Sequence, residues 1–204
     1  MRKVLLIAAM MMLLATGASA NDDLSGRMAA SGFLGYSLGF GEGFDDWEES
    51  VSDGFFSYSA KLSRSAGIGY GLMFHYGMSE KLMLGGELSF QSYSYDYEYN
   101  NVELWSTSES GMNFLASVLY AMNYDETEGG LFLMGGAGLY GGPSFTSGFG
   151  ADDSFGFFGG VKYEKKFGEQ FSGFVMPRFH VVMFDDMAMM LQVAVGGTFD
   201  FGSN

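Results

Sequence analysis

The chain has 204 residues with no cysteine, 32 glycines, only two prolines and an aromatic content of 17%. Its 10 lysines and arginines against 24 acidic residues give a net charge of −14, which argues against nucleic acid as a partner, since phosphate contacts need cationic clusters. The absence of cysteine excludes disulfides and thiolate metal sites, while abundant glycine and aromatic residues with little proline favour strands over disorder.

The first 20 residues have the pattern of a secretory signal peptide. Arg2 and Lys3 precede an apolar run over residues 4–16, and the small residues at 18–20 match a signal-peptidase site. A retained anchor helix is the alternative, but the run is shorter than the roughly 20 residues that a membrane-spanning helix needs. We therefore expect a cleaved signal peptide over 1–20 and a single domain over 21–204.

Beyond the signal, apolar residues recur with period two, which is typical of β-strands. In one segment, large apolar residues occupy one face, and glycine, methionine and histidine occupy the opposite face. The large apolar residues are Ile68, Tyr70, Leu72, Phe74 and Tyr76. Eight segments show this alternation: 31–41, 57–76, 82–95, 110–123, 131–141, 154–165, 171–183 and 188–201. Each is long enough to cross a bilayer when tilted, which takes about 9–11 residues. The fold class predicted is all-β: an eight-stranded antiparallel transmembrane up-and-down β-barrel after an N-terminal signal peptide.

The connections between segments alternate in length. Short polar turns are predicted at 77–81, 125–130 and 166–170, and longer links at 42–56, 96–109 and 142–153. A fourth link on the long side, around Asp185 and Asp186, is short. Short periplasmic turns and longer external loops are the arrangement of outer-membrane barrels. Aromatic residues predicted to face outward near the two ends would form two belts: Tyr76, Tyr124, Tyr163, Phe171 and Phe201, then Phe40, Tyr58, Phe90 and Phe155.

A soluble β-sandwich or lipocalin-like barrel would show the same alternation with its apolar residues inside. Glycine opposite the apolar rows, as at Gly35, Gly39 and Gly69, favours the membrane barrel, because a narrow lumen has room only for small residues. Pro177 interrupts the seventh segment, where a backbone N–H is wanted, and we expect a β-bulge to absorb it.

Four segments carry a family resemblance: LFLMGGAGLYGG at 131–142, FFGGVKYEKKF at 157–167, FVMPRFH at 174–180 and LQVAVGGTFDF at 191–201. They resemble the small bacterial outer-membrane β-barrel superfamily of the OmpA/OmpX type. The resemblance implies location in the outer membrane, contact with its lipid and lipopolysaccharide, and recognition of the last strand, at Phe201, by the barrel assembly machinery. Members serve as structural tethers, adhesins, small pores and, rarely, enzymes.

Charged residues on the inward phase are the first candidate site. They are Glu87, Lys162, Glu164 and Arg178. A charge facing lipid at mid-membrane costs roughly 2–4 kcal/mol, so these side chains are expected to pair inside the lumen. Arg178 and Glu87 are the pair that we expect to close the bore, although an ion pathway through the same residues is the alternative.

Two surface candidates lie in the predicted outer links. The first is an acidic cluster that includes Asp45, Asp46, Glu48 and Glu49, interpreted as a solvated loop because its spacing does not match a calcium-binding loop. The second is the alternating run Tyr93, Tyr95, Tyr97 and Tyr99, which stabilises an extended hairpin or binds an extracellular protein or glycan.

Catalysis has little support in the sequence. The only histidines, His75 and His180, fall near opposite ends of their strands and cannot share one site. We therefore expect no enzymatic activity, no cofactor and no metal site. The function predicted is a structural or surface-interaction role on a filled barrel. A small pore or carrier for ions or apolar molecules is the alternative, followed by a lipid-modifying enzyme.

Overall fold

The computed structural model describes residues 23–41, 44, 47–52, 57–141, 153–183 and 187–201; the predicted signal peptide lies outside them. These residues form nine strands: β1 (Met28–Phe40), β2 (Trp47–Ser52), β3 (Ser57–Gly77), β4 (Leu82–Tyr99), β5 (Val102–Asp125), β6 (Gly129–Gly141), β7 (Asp153–Lys166), β8 (Phe171–Met183) and β9 (Met187–Asp200). In the same part of the chain, no helix is long and apolar enough to cross a membrane.

Eight of the strands form a closed ring. The order β1-β9-β8-β7-β6-β5-β4-β3 closes because β1 also pairs with β3, and every pairing is antiparallel. The predicted eight-stranded up-and-down barrel is therefore confirmed, and the three predicted short turns join β3 to β4, β5 to β6 and β7 to β8. We call this end of the barrel the turn end and the opposite end the loop end.

The exterior of the ring is a band of apolar side chains. Leu34, Leu72 and Val195 are more than half exposed, whereas the lumen holds buried charged residues. A soluble barrel would have the reverse distribution, so this is the surface of a barrel that faces lipid. On β4 and β5 the band ends, toward the loop end, where the paired apolar residues Phe90 and Met112 are followed by the paired serines Ser92 and Ser110.

The predicted aromatic belts are wrong at two residues, because β3 and β5 each contain a β-bulge. Register shifts between Ala66 and Gly69 and between Ala121 and Asn123 reverse the alternation on β3 and β5. Tyr124 consequently faces the lumen, with 3% of its surface exposed, and Tyr58 also lies on the lumen-side face. The other seven residues that were predicted to form the belts lie on the outer surface.

The prediction of a β-bulge at Pro177 is wrong. Pro177 pairs with Val193 on β9 in a register that continues without a shift along β8. On its other side, β8 pairs with β7 in a constant register. The pairs Gly160↔Arg178 and Tyr163↔Val175 are formed, but the two residues of each strand that lie between these pairs are not paired. The missing N–H of proline is thus accommodated by a local gap in the β7–β8 ladder, and Arg178 still faces inward.

Strands occupy most of the 96–109 link, so its prediction as a loop is wrong, whereas the extended hairpin that the tyrosine run predicted is present. β4 and β5 continue to a two-residue turn at Asn100 and Asn101, whose φ angles of 50° and 61° suit the tight turn of a twisted hairpin. Pairing of β5 with β6 begins only at Asn113, so the upper parts of β3, β4 and β5 extend past the ring. Together with β2, which the sequence did not predict, they form a four-stranded outer sheet.

Candidate functional site: the lumen and the outer sheet

A buried arginine–carboxylate pair spans the centre of the lumen. Arg178 on β8 donates from Nη2 to Oε1 of Glu87 on β4 at 2.8 Å, and its Nη1 bonds the second carboxylate oxygen. The Nε of Arg178 donates to Oε1 of Gln192 at 2.7 Å. Both charged residues expose 5% of their surface or less. A two-pronged contact of this kind fixes direction as well as distance, so it holds β4 and β8 together across the bore.

Aromatic rings and an amide pack around this pair. The guanidinium carbon of Arg178 lies 4.9 Å from the ring centre of Phe33 and 5.5 Å from that of Phe158. Gln192 Nε2 donates to Ser37 Oγ at 3.1 Å on the side of the loop end. We call Arg178, Glu87, Gln192, Phe33 and Phe158 the central plug.

Glycines on the inner wall make room for the rings that fill the lumen. A Cβ atom at Gly136 would lie 2.5 Å from the ring of Phe158, and one at Gly196 would lie 2.5 Å from the ring of Phe174. The same two Cβ atoms would lie 2.1 Å from the backbone carbonyl oxygens of Ala116 and Gly32, respectively. Real Cβ atoms do not approach other atoms so closely, so both positions need glycine. The glycines at these two positions therefore serve the packing of the lumen.

A second charged layer lies between the central plug and the turn end. Glu164 accepts from Arg27 Nη2 at 2.6 Å, and its other carboxylate oxygen lies 2.7 Å from Lys162 Nζ. Arg27 Nε also donates to Asp200 Oδ1 at 2.8 Å, and Asp200 pairs with Lys166. We call these five residues the lower network. Lys162 and Glu164 were predicted to be inward charges, whereas Arg27, Lys166 and Asp200 were missed because they lie at the ends of strands.

Two cavities of the described lumen lie on opposite sides of the two charged layers. Above the central plug, a cavity of about 10 Å³ is bounded by residues that include Asn113, Tyr140 and His180, which is space for about one water molecule. At the turn end, a cavity of about 440 Å³ is open to the outside and ends at Arg27, Lys166 and Asp200 of the lower network.

The two histidines lie in separate surroundings inside the lumen. His180 Nδ1 is 2.8 Å from the hydroxyl of Tyr140, and His75 Nε2 is 2.9 Å from Oγ of Ser117. All four residues are buried. A serine–histidine contact is one part of a hydrolase site, but this one is enclosed by the barrel wall and does not reach the lipid-facing surface.

The structure divides the tyrosine run between the lumen and the surface. Tyr93 and Tyr95 are buried, with exposures of 1% and 9%, and the ring of Phe44 stacks on Tyr93 at 6.4 Å. These two tyrosines continue the lumen-facing row of β4, so their interpretation as surface contacts is wrong. Tyr97 and Tyr99 lie farther out along the same row.

The outer sheet has two chemically different faces, because directly paired residues of an antiparallel sheet share a face. One face, the aromatic face, carries two stacked pairs: Tyr97 with Trp105 at 5.8 Å and Tyr58 with Tyr99 at 6.1 Å. The other face carries mainly serines and acids, together with Lys61, which lies between Glu48 and Glu98. Its cross-strand pairs are Ser50↔Ser59, Ser65↔Ser94, Ser94↔Ser108, Asp96↔Ser106 and Glu98↔Glu103.

Of the acidic cluster, only part lies within the described residues. Glu48 and Glu49 are exposed on β2 and point to opposite faces of the outer sheet, whereas Asp45 and Asp46 fall outside the described residues. Over the described ranges, no group of three or more histidine, aspartate or glutamate side chains is placed to hold a metal ion.

No protein-family model and no curated protein sequence matches this chain. Among solved structures, it is similar to the outer membrane protein OprG from Pseudomonas aeruginosa at 15% identity and a TM-score of 0.45, covering 91% of this chain and 100% of that one. A de novo designed transmembrane β-barrel is 13% identical to this chain with a TM-score of 0.40. The match covers 88% of this chain and 98% of the designed barrel. Ail of Yersinia pestis, solved with a heparin analogue, is 12% identical to this chain with a TM-score of 0.29. The match covers 87% of this chain and 99% of Ail. These likenesses are too distant to carry a functional argument.

Proposed function

We propose that this chain is an integral outer-membrane barrel whose filled lumen gives rigid support to an outer sheet that binds a partner at the cell surface. The observation that carries the proposal is the pairing of Arg178 with Glu87 across the bore, capped by Gln192 and two rings. The ring of strands satisfies its own backbone hydrogen bonds, and its apolar exterior suits lipid. The loop end then faces outward, because short turns belong to the periplasmic side in such barrels.

A pore is the weaker interpretation of the same lumen. Passive flow requires polar groups that line open water, whereas the charged inner side chains here are paired with one another in two layers. The cavity of about 440 Å³ at the turn end stops at the lower network rather than continuing to the loop end. A filled barrel contributes stiffness and position instead of transport.

The aromatic face of the outer sheet is the part that we propose to bind a partner, and the class that we favour is a glycan. Trp105 and Tyr99 are 47% and 41% exposed, and each is held flat by the ring stacked on it. Exposed, preorganised rings present an apolar surface to sugar rings at little entropic cost. The carboxylates of Glu49 and Glu109, exposed on the same face, would accept hydrogen bonds from sugar hydroxyl groups and disfavour polyanions.

Conductance in planar lipid bilayers tests the filled lumen. The folded protein should give no stepwise current, and the Arg178→Ala variant should give more current than the wild type because it removes the largest side chain of the central plug. Regular single-channel steps in the wild-type protein, altered in size by Glu87→Gln, would reject the filled lumen in favour of a pore.

A glycan array probed with folded protein in detergent tests the aromatic face. Trp105→Ala and Tyr99→Ala should each reduce binding, whereas Phe167→Ala should not, since Phe167 is an exposed aromatic residue in a turn at the opposite end. Binding that is unchanged in Trp105→Ala, or a pull-down in which only proteins are retained through this face, would contradict the glycan assignment.

A further inference from the structure

A groove on the outer wall of the barrel lies near the turn end, outside the lumen. Its volume is about 690 Å³, which falls in the range of small-molecule sites. Its floor is formed by outward-facing short side chains of neighbouring strands: Leu131, Val161, Val175, Pro177 and Val193. In each of these strands the neighbouring residues face the lumen, as the burial alternation shows, so the groove and the lumen are separated by the strands themselves.

The groove exists because bulky residues are absent from this patch of the wall. Val193 lies directly beside Pro177, and pairing between β7 and β8 is absent next to Pro177. Larger outward residues border the patch, among them Leu133 and Tyr163, which are 52% and 50% exposed. A shallow channel bounded by larger side chains is a shape that one extended hydrocarbon chain can fill.

Opposite charges lie at the rim of the groove nearest the turn end. Lys165 follows Tyr163 on the outward face of β7, and Glu128 lies in the turn between β5 and β6. Both are exposed, and neither forms one of the salt bridges found among the described residues, although Lys165 lies close enough to Asp125 at the same rim for an electrostatic attraction. The rim therefore offers a cation and an anion close to an apolar channel, at the level where the barrel leaves the hydrocarbon.

We propose that this groove binds a zwitterionic phospholipid of the inner leaflet, with ethanolamine as the headgroup. One acyl chain would lie along the valines and Pro177, the phosphate would accept hydrogen bonds from Lys165, and the ammonium would pair with Glu128. Glu128 and Asp125 at the rim disfavour a headgroup with net negative charge. The proposal rests on the membrane-spanning part of the proposed function and is independent of the glycan assignment.

Native mass spectrometry of the folded protein in detergent, titrated with phosphatidylethanolamine, tests the groove. Lys165→Ala should weaken binding by about tenfold, the scale of one charge-assisted hydrogen bond, and Lys165→Arg should restore it. Val193→Trp should block binding by filling the channel while leaving the lumen unchanged. Lys81→Ala, at another turn of the same end, is the matched control and should bind as the wild type does.

Equal binding by Lys165→Ala and Lys81→Ala, or equal binding of phosphatidylglycerol and phosphatidylethanolamine, would overturn the groove proposal. The gel mobility of each variant before and after boiling is recorded in parallel. A variant that keeps the mobility shift but not the lipid supports the groove, whereas loss of the shift in the wild-type protein itself would contradict the membrane barrel instead. Val193→Trp supplies an answer independent of charge, because it leaves both rim residues in place.

Discussion

Removing either Arg178 or Glu87 from the central plug should lower the free energy of unfolding of the barrel. The loss should be larger for Arg178 than for Glu87. Breaking a buried ion pair costs about 3–5 kcal/mol, because the remaining charge stays in a confined site without compensation. Arg178→Ala also loses the hydrogen bond to Gln192 and the contacts with two rings, and it leaves a cavity, so its cost should lie at the upper end. Glu87→Ala leaves Arg178 with Gln192 and both rings, so its cost should lie at the lower end.

The double variant tests whether these residues act as a pair. Because each single change already removes the same ion pair, the double variant should lose less than the sum of the two, with a coupling energy of about 0.5–3 kcal/mol. Urea unfolding in lipid vesicles, followed by far-ultraviolet circular dichroism, measures the three free energies. Tryptophan fluorescence is unsuitable here, since Trp47 and Trp105, the only tryptophans, both belong to the outer sheet. Strictly additive losses would refute the pairing on which the filled lumen depends.

Three further changes have expected outcomes. A cysteine at Ser50 should react with an impermeant maleimide on intact cells and one at Thr127 should not; the reverse pattern would invert the topology. Gly136→Val should lower the free energy of unfolding by about 1–3 kcal/mol through its clashes with the backbone carbonyl oxygen of Ala116 and the ring of Phe158, which an unchanged urea midpoint would refute. Asn101→Val places a β-branched residue at a φ of 61°, so it should alter the tryptophan fluorescence of the outer sheet while sparing the mobility shift; an unaltered spectrum would contradict the turn geometry.

The barrel could be predicted from sequence because its signal is local. Outward residues in lipid must be apolar, so period two marks each segment, and short polar turns mark the ends of three strand pairs. Sequence reasoning favoured an extended hairpin at the tyrosine run but placed a link over 96–109, because strands beyond the lipid need no apolar face. Tyr93 to Tyr99 alternate with Ser94, Asp96 and Glu98, and the backbone pairing continues past a register shift between Tyr97 and Glu98. The position of the hairpin's turn was not predicted. The Asn100–Asn101 turn is the signal that could have revealed it.

The site was predictable only in part, because its partners are far apart in sequence. Inward charges on β4, β7 and β8 could be located by phase, but Arg27 and Asp200 are 173 residues apart and meet only when the first and last strands pair. A bulge adds one residue and reverses every later side chain, so phase alone placed Tyr124 on the wrong side of the wall. No local pattern reports such an insertion.

Gel mobility of the mature protein before and after boiling, together with its fractionation, tests most directly the claim that the chain is a closed membrane-spanning barrel. Such a barrel satisfies its backbone hydrogen bonds internally and should survive dodecyl sulfate without heat, so the two samples should run at different positions and the protein should remain with the outer membrane. Identical mobility of boiled and unboiled samples, with the protein recovered in a soluble fraction, would contradict the account.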